Sequence, residues 1–591
     1  MTLRYINARS HKMIMQRGEP FRTIILAVAY ISVMLFLVAL LFQQPRSITA
    51  LLSVKSSEFP IPDTPSQEDN IIPNDSSVIT SIPQYFQTTP ELWAGPTATG
   101  MAPFLAQTNP VSFTGTATFV PNTPLETAYP IAGAQQNQNI FQLMGHLSPY
   151  FPNINGFGVN EYPLPLGARI TQAQILSRHG SRYPTSGDPV NNFAQKLANK
   201  KVGFKANGAL QFLNNWKYNL GSNILVPRGR QELFESGILH YYQYGQLYNP
   251  NSKIIARTTT QDRMLKSAEY FLAGFFGLEW TQNATIEVII EASGFNNSLA
   301  GSESCHNAKN FRNDGGKNAS SVWVGNYLQN ATSRFQSMLE GIDWNVTDTF
   351  AAQTLCPYET VNHLVAFGYS AFCNLFTYEE WEGFEYAQDL YFAGSSSFQS
   401  PTSRAVGLGY VQETIARLQN HTLGYSGSQI NVTLDNNTDT FPLNQSLYFD
   451  FSHDTNIMSI LTSFGFRQFS ELLPLDHHPG AHNLTVSHLE PFAARIDIEI
   501  IKTPFPLSAQ RIYESGNETT YVHFLLNQRT LPLGVNFPDC GINRLDGWCE
   551  LETFLKVQED IMKLAEFEYA CNGEYEAPSW GEITDGVPKN R

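Results

Sequence analysis

The sequence predicts an α/β fold: a mixed central sheet flanked by helices, with an inserted α-helical domain, preceded by an N-terminal transmembrane helix. Three observations predict it. From about residue 136 onward, short apolar runs of strand length alternate with longer helical patterns. Between 296 and 425 the pattern is mostly helix and loop, which places an α-rich insertion within about 188–425. Far upstream, Ile24 to Phe42 run without a charge, about the length that spans a bilayer.

Residues 1–23 carry Arg4, Arg9, Lys12, Arg17 and Arg22, whereas only Arg46 follows the apolar run closely. By the positive-inside rule, 1–23 is a cytoplasmic tail, 24–42 a type II signal-anchor, and everything beyond lies outside the cytoplasm. A cleaved signal peptide is the competing reading. It suits the long n-region and long apolar run poorly, and no clear small-x-small site follows. Residues 43–135 hold thirteen prolines, many Ser and Thr and few charges, and read as an extended, O-glycosylated stalk. The alternative there is a small β-module around Val111 to Val120. The catalytic-domain candidate is 136–591.

Composition agrees with an exported domain. The formal charge is −15, so no basic face is expected, and nucleic acid is excluded as a partner. Asn74, Asn283, Asn296, Asn318, Asn330, Asn345, Asn420, Asn431, Asn436, Asn444, Asn483 and Asn517 each begin N-x-S/T, all beyond the apolar run. The six cysteines form no C-x-x-C pair, so a zinc site is not expected. An even count in an exported domain reads as three disulfides, with fifteen pairings open to sequence alone.

Along the domain, Phe141, Met144, Leu147 and Tyr150 have near-helical spacing, and Ile170 to Leu176 reads as a buried strand. A helical region from Gly229 to Tyr248 carries the stripe Leu233, Phe234, Ile238, Tyr241 as its core face. Ser252–Ala256 reads as a strand leading to Arg257, followed by a helix from about Met264 to Phe276. Thr285–Ile290, Ser446–Phe451, Ala494–Ile501 and Thr520–Leu526 are further strands, and Glu550–Tyr569 is the last helix.

The chemistry concentrates at Arg178-His179-Gly180-Ser181-Arg182-Tyr183-Pro184, directly after the first strand. Ligand sites of open α/β sheets lie at strand C-termini. Two guanidiniums can hold phosphate oxygens through forked hydrogen bonds, and the imidazole between them can attack phosphorus. Alone, such a run is also a basic loop with a satisfied histidine. The pair His453-Asp454 ends another strand and begins a helix, where a capping role competes with a catalytic one.

The string LSRHGSRYPT resembles the histidine acid phosphatase family, and its fungal phytase branch in particular. The likeness extends over roughly 137–575, through GHLSPYFP, ARTTTQDRMLKSAEYFLAGF, AFCNLFTYEEW, VGLGYVQETIARL, LYFDFSHDTN and DCGINRLDGWCELETFL, in the family's order. The resemblance implies an α/β domain with a helical insertion and a phosphohistidine intermediate. By motif match His179 is the nucleophile and Asp454 the proton donor. Arg178, Arg182, Arg257 and His453 are the phosphate ligands, with Arg263 a weaker candidate. Neither metal nor cofactor is implied. Cys356–Cys373, Cys540–Cys549 and Cys305–Cys571 are the pairings it suggests. The expected partners are small phosphate esters, phytate among them, and the membrane through the anchor.

The chain departs from that branch in three places. Ala168 stands where the branch has a cysteine, and its partner near Lys502 is missing too. Ser186–Asn192 and Leu390-Tyr391-Phe392 lack lysines that phytases of this type carry, which leaves open a general acid phosphatase. Thr258-Thr259-Thr260 replaces the small residues common after the strand-end arginine. Two rivals remain: a phosphoglycerate mutase-type transferase, which shares R-H-G, and a catalytically inactive surface protein on the same scaffold. The R-x-P after Gly180 and the disulfides speak against the first, and retention of His179, Asp454 and the arginines against the second.

Overall fold

The computed structural model describes residues 131–135, 138–199, 203–362, 370–425 and 427–589. All of them lie in one compact unit, 115–591. The tail, the apolar run 24–42 and the stalk as far as residue 130, with its β-module alternative, lie outside the described residues. Among the described residues no helix is long and apolar enough to cross a membrane.

The central sheet has eight strands: β1 (Arg169–Arg178), β2 (Ile254–Thr259), β3 (Ala284–Ile289), β4 (Leu447–Ser452), β5 (Arg495–Thr503), β6 (Thr519–Leu526), β7 (Arg529–Leu531) and β8 (Cys549–Glu550). Their order is β8-β6-β5-β1-β4-β2-β3, with β7 paired to β6. The half from β1 to β3 is parallel, and β5, β6 and β8 add an antiparallel half. Strands covered on both faces need apolar side chains on both, and all six residues of β4, Leu-Tyr-Phe-Asp-Phe-Ser, are buried.

Successive side chains point to opposite faces. Ala173 and Ile175 of β1 pack with Phe449 and Phe451 of β4 against the helices Pro227–Tyr244 and Asp262–Phe276. Leu176 joins Ile496, Ile498 and Ile500 on the other face, under the helix Asp454–Phe464 and a helical layer. The layer draws on two chain segments. Val190, Phe193, Leu210 and Leu213 share one core with Trp344, Phe372, Trp381 and Phe384, although β2 and β3 intervene in sequence. Its helix Tyr378–Ser396 opens on a capping box between Thr377 and Glu380.

Three expectations change. On Pro227–Tyr244 the buried face is Leu233, Ser236, Gly237, His240 and Tyr244, whereas Ile238 and Tyr241 are exposed. The face is polar because His240 Nε2 meets Asp497 of β5 at 3.0 Å. The last helix is two, Leu551–Lys563 and Phe567–Asn572, broken at Glu566, whose φ is +43°. Phe141, Met144 and Leu147 are buried, but on or beside two short 3₁₀ turns rather than one helix.

Cys305–Cys571, Cys356–Cys373 and Cys540–Cys549 are bonded. The first closes a loop of 266 residues. Replacing both of its cysteines by serine is expected to cost about 2–5 kcal/mol, read as a lowered melting temperature. Of the eleven sequon asparagines among the described residues, nine are exposed and two, Asn283 and Asn431, are half-buried.

Candidate active site

β1 ends on Arg178, so the chain leaves the sheet at His179, beside the C-terminal ends of β4 and β2. The turn is clamped against the helix Pro227–Tyr244. A Cβ on Gly180 would stand 2.2 Å from the Gly229 carbonyl oxygen, and one on Gly229 would stand 2.0 Å from that of Ser181. Only two glycines let these backbones approach so closely. Buried Glu232 locks the turn from the same helix, its carboxylate accepting from Ser181 N–H at 2.8 Å and from the Ser181 hydroxyl at 2.9 Å. On the other side, Ala493 N–H donates to the His179 carbonyl at 3.0 Å from a left-handed backbone, φ +56°. A non-glycine residue there stores strain, which the surrounding packing has to hold.

His179 is 1% exposed. Its Nδ1 lies 2.9 Å from the Gly180 carbonyl oxygen, so Nδ1 carries the proton and Nε2 keeps a free lone pair. Burial, then Arg178, Arg263, Arg182 and His453, holds the imidazole well below its ordinary pKa. It is therefore neutral under acidic conditions that would protonate an exposed histidine.

Arg178 is wholly buried. Its Nη1 donates to the carbonyls of His146 (2.5 Å) and Glu490 (2.6 Å), its Nη2 donates to Asp454 Oδ2 (2.5 Å), and its guanidinium stacks 4.6 Å from the Phe492 ring. Arg182 Nη1 donates to the Tyr183 carbonyl at 3.0 Å and reaches the Tyr358 hydroxyl at 3.4 Å. That hydroxyl donates to Asp188 at 3.2 Å, tying the helical layer to the turn. Arg263, second residue of the helix Asp262–Phe276, is the third arginine here. Burial and the nearby charge of Arg182 and Arg178 lower its pKa to about 10, against the pull of Glu291 and Asp454. Arg178, Arg182 and Arg263 each keep a buried Nε–H without a partner.

Asp454 opens the helix Asp454–Phe464 and accepts from Thr455 N–H at 2.7 Å. Burial pushes its carboxyl up, but Arg178, His146 and Arg182 win and hold it below the usual range. His453 precedes it, its ring 5.7 Å from that of His179. His453 Nε2 lies 2.9 Å from Glu291 Oε2, and Glu291 also accepts from Thr259 at 2.5 Å and from Gln261. Beside them, burial takes His146 down to about 3 despite Asp454, and its Nδ1 is unpartnered. Among the described residues no group of three His, Cys, Asp or Glu is arranged to hold a metal ion.

The structure thus gathers His179, Arg178, Arg182, His453 and Asp454, and it corrects Arg257. β2 runs to Thr259, three residues beyond the expected strand end, so Arg257 sits inside the strand opposite Asp450. It faces the helix Ser403–Gln419. Its Nη2 binds Glu413 at 2.6 Å and its Nε binds Asp450 at 2.7 Å, while Arg417 holds Asp450's other oxygen at 2.6 Å. Arg257 is thus tied up in buried ion pairs, and it is Arg263 that lies with Arg178 and Arg182 near His179. Glu291, Glu232 and His146 were not foreseen. Glu291 alone had a legible cue, since it closely follows a strand on the sheet's ligand side.

The two arginines therefore predict different losses. Arg263→Ala is expected to lower kcat/KM about 10–100-fold with little change in melting temperature, by removing a charged hydrogen-bond donor. Arg257→Ala is expected to cost about 3–5 kcal/mol of stability, because Glu413 and Asp450 are left buried and short of a partner. Thermal melts and steady-state kinetics on both variants separate the roles.

A mixed sheet with a histidine and three arginines converging at its strand ends defines an anion-handling α/β enzyme. Residues 169–527 match the histidine phosphatase superfamily, branch 2. Phytase A of Aspergillus awamori is 30% identical over 433 residues, covering 70% of this chain and 87% of that protein. Phytase A of Aspergillus fumigatus is 31% identical over 447 residues, covering 72% and 89%. The crystal structure of the phytase from D. castellii shares the fold, with a TM-score of 0.56 at 22% identity over 75% of this chain and 89% of that one. The chain belongs to the histidine phosphatase superfamily, branch 2, as a phytase-like histidine acid phosphatase.

Proposed function

We propose that the protein hydrolyses phosphate monoesters through a phosphohistidine formed on His179. The observation that carries this is a buried, neutral histidine with a free Nε2 and the charges of Arg178, Arg263 and Arg182 around it. Arg178, Arg182 and Arg263 hold the phosphoryl oxygens, with His453, steadied by Glu291, as a further ligand. Positioning and charge stabilisation are most of what phosphoryl transfer requires. Nε2 attacks phosphorus, the P–O bond to the alcohol breaks, and Asp454 gives its proton to the leaving oxygen. In the second step a water attacks phosphorus, the N–P bond breaks, and the Asp454 carboxylate takes the water's proton. Phosphate leaves and His179 is regenerated.

Asp454 is an anion before substrate arrives, since the arginines hold its pKa low. A bound phosphate offsets those arginines and raises it. The reactive complex therefore carries one proton shared between Asp454 and the ester, whose second pKa is about 6. Below that pH the proton is present and His179 is still neutral. Above it, kcat/KM is expected to fall about tenfold per pH unit. A pH–rate profile of the full chain checks this, and a flat profile from pH 4 to 8 contradicts it.

The names of the relatives make inositol phosphates one candidate substrate class. Phosphate release by the full chain from inositol hexakisphosphate and from a simple aryl phosphate tests the reading, and release from neither overturns it.

We also place the domain outside the cytoplasm, behind a type II anchor at 24–42. The flanking charge asymmetry, the disulfides and the exposed sequons support that placement. Glycosidase digestion should increase the mobility of the membrane-bound protein on a gel. An unshifted band would count against the placement.

A further inference from the structure

Arg178 serves the reaction only while its guanidinium is held in one place. We propose that Glu385, helped by the Asp389–His482 pair, is a positioning residue: it fixes the two backbone carbonyls that aim Arg178 at the phosphoryl group. The inference rests on the phosphate-binding role given to Arg178 above.

Arg178 Nη1 is spent on the carbonyls of His146 and Glu490, at 2.5 and 2.6 Å. Neither carbonyl belongs to the sheet. His146 sits in the 3₁₀ turn Gly145–Leu147, and Glu490 follows the four-residue helix Val486–Leu489. Segments this short do not hold their own shape in water. The aim of Arg178 therefore depends on what these two are fastened to.

Both are fastened to the helix Tyr378–Ser396, where Glu385 and Asp389 lie one turn apart and are buried. Glu385 bridges the two segments. Its Oε2 accepts from Gly145 N–H at 2.6 Å and its Oε1 from Ser487 N–H at 2.8 Å. Burial and the Asp389 charge push its carboxyl up to about 8, and either form of the carboxyl can accept both N–H groups. Gly145 is pressed on the same helix, since a Cβ there would overlap the Gln388 side chain.

Asp389 steadies the second segment. Its Oδ1 accepts from Val486 N–H at 2.6 Å, and its Oδ2 lies 2.8 Å from His482 Nε2. His482 Nδ1 lies 2.7 Å from the Gly480 carbonyl oxygen, so both ring nitrogens face acceptors and both donate. Burial opposes that charge, but Asp389 and the Gly480 carbonyl raise the pKa to about 9. From the side of β6, the Asn527 amide donates to the carbonyls of His488 at 2.8 Å and Leu489 at 3.0 Å. Glu385 thus joins the two segments, and an amide in its place would break the bridge, because an amide nitrogen cannot accept. One carbonyl on Nη1 would then be left without its support.

The test compares the full chain with Glu385→Gln and with Thr377→Ala, which removes the hydroxyl that caps the same helix at Glu380 N–H. Each is measured for melting temperature, for kcat/KM on phenyl phosphate and for inhibition by inorganic phosphate, well below every melting point. Thr377→Ala should lower the melting temperature and leave both constants as in wild type. Glu385→Gln should lower kcat/KM about 10–100-fold and weaken phosphate inhibition about tenfold, the scale of a small displacement of a binding group. If Glu385→Gln fails to fold, His482→Gln, which takes one donor from the pair, carries the comparison with about threefold on each constant. Unchanged constants, lost turnover with phosphate inhibition intact, or an equal loss in Thr377→Ala overturns the proposal. Folded wild type that releases no phosphate would instead overturn the hydrolase reading. The rise in melting temperature with inorganic phosphate would then decide the aim of Arg178: a smaller rise in Glu385→Gln supports the proposal, and an equal one overturns it.

Discussion

His179→Ala is expected to lose about 10⁵-fold in phosphate release, the scale of removing a covalent nucleophile. The loss should be confined to chemistry. Arg178 and Arg182 do not depend on the imidazole: Arg178 is held by two backbone carbonyls and Asp454, and Arg182 by the Tyr183 carbonyl and Tyr358. Inorganic phosphate should therefore still raise the variant's melting temperature, as it does for any protein whose folded state alone binds the ligand. A variant that neither turns over nor responds to phosphate would mean that His179 organises the anion site rather than attacking from it.

Asp454→Asn gives the second large effect, and its form is more informative than its size. The amide accepts and donates hydrogen bonds but cannot pass a proton to the leaving oxygen, so kcat should fall about 10²–10⁴-fold. The fall should depend on the ester. An alkoxide needs the proton and a nitrophenolate hardly does, so an alkyl phosphate should lose most and p-nitrophenyl phosphate least. Removing the carboxylate also removes the anion that pairs with Arg178 at 2.5 Å. Phosphate should then bind more tightly, and product inhibition should rise as kcat falls. Equal losses on both esters would take the proton-donor role away from Asp454.

The two ends of this site were legible in the sequence for a physical reason. A histidine between arginines after a buried run, and a His-Asp pair between a strand and a helix, mark the C-terminal edge of a parallel sheet without any tertiary information. The third arginine was not legible, because that judgement turned on a strand boundary, and boundaries depend on pairing. β2 continues to Thr259 because β3 pairs with it as far as Ile289, so Arg257 is carried into the sheet and Arg263 is delivered to its edge.

The burial of Pro227–Tyr244 was misread for a related reason. An apolar stripe marks a core face only where the neighbour is apolar, and here the helix meets Asp497 through His240. The helical layer's two-segment origin was out of reach, since nothing local says that Phe193 packs against Trp344 and Phe372. Glu291 and Glu232 act by fixing His453 and the Ser181 turn, and a lone glutamate in a sequence carries no mark of such a task.

The most direct test of the central claim is to trap the intermediate. The full chain is mixed with a fast aryl phosphate at acidic pH, denatured within the first turnovers in alkali, where phosphohistidine survives, and digested for mass spectrometry. One phosphoryl group on the peptide containing Arg178-His179-Gly180, localised to His179 and missing from His179→Ala, is the predicted result. Rapid turnover with no phosphoryl group on that peptide, or with one on another residue, would contradict it.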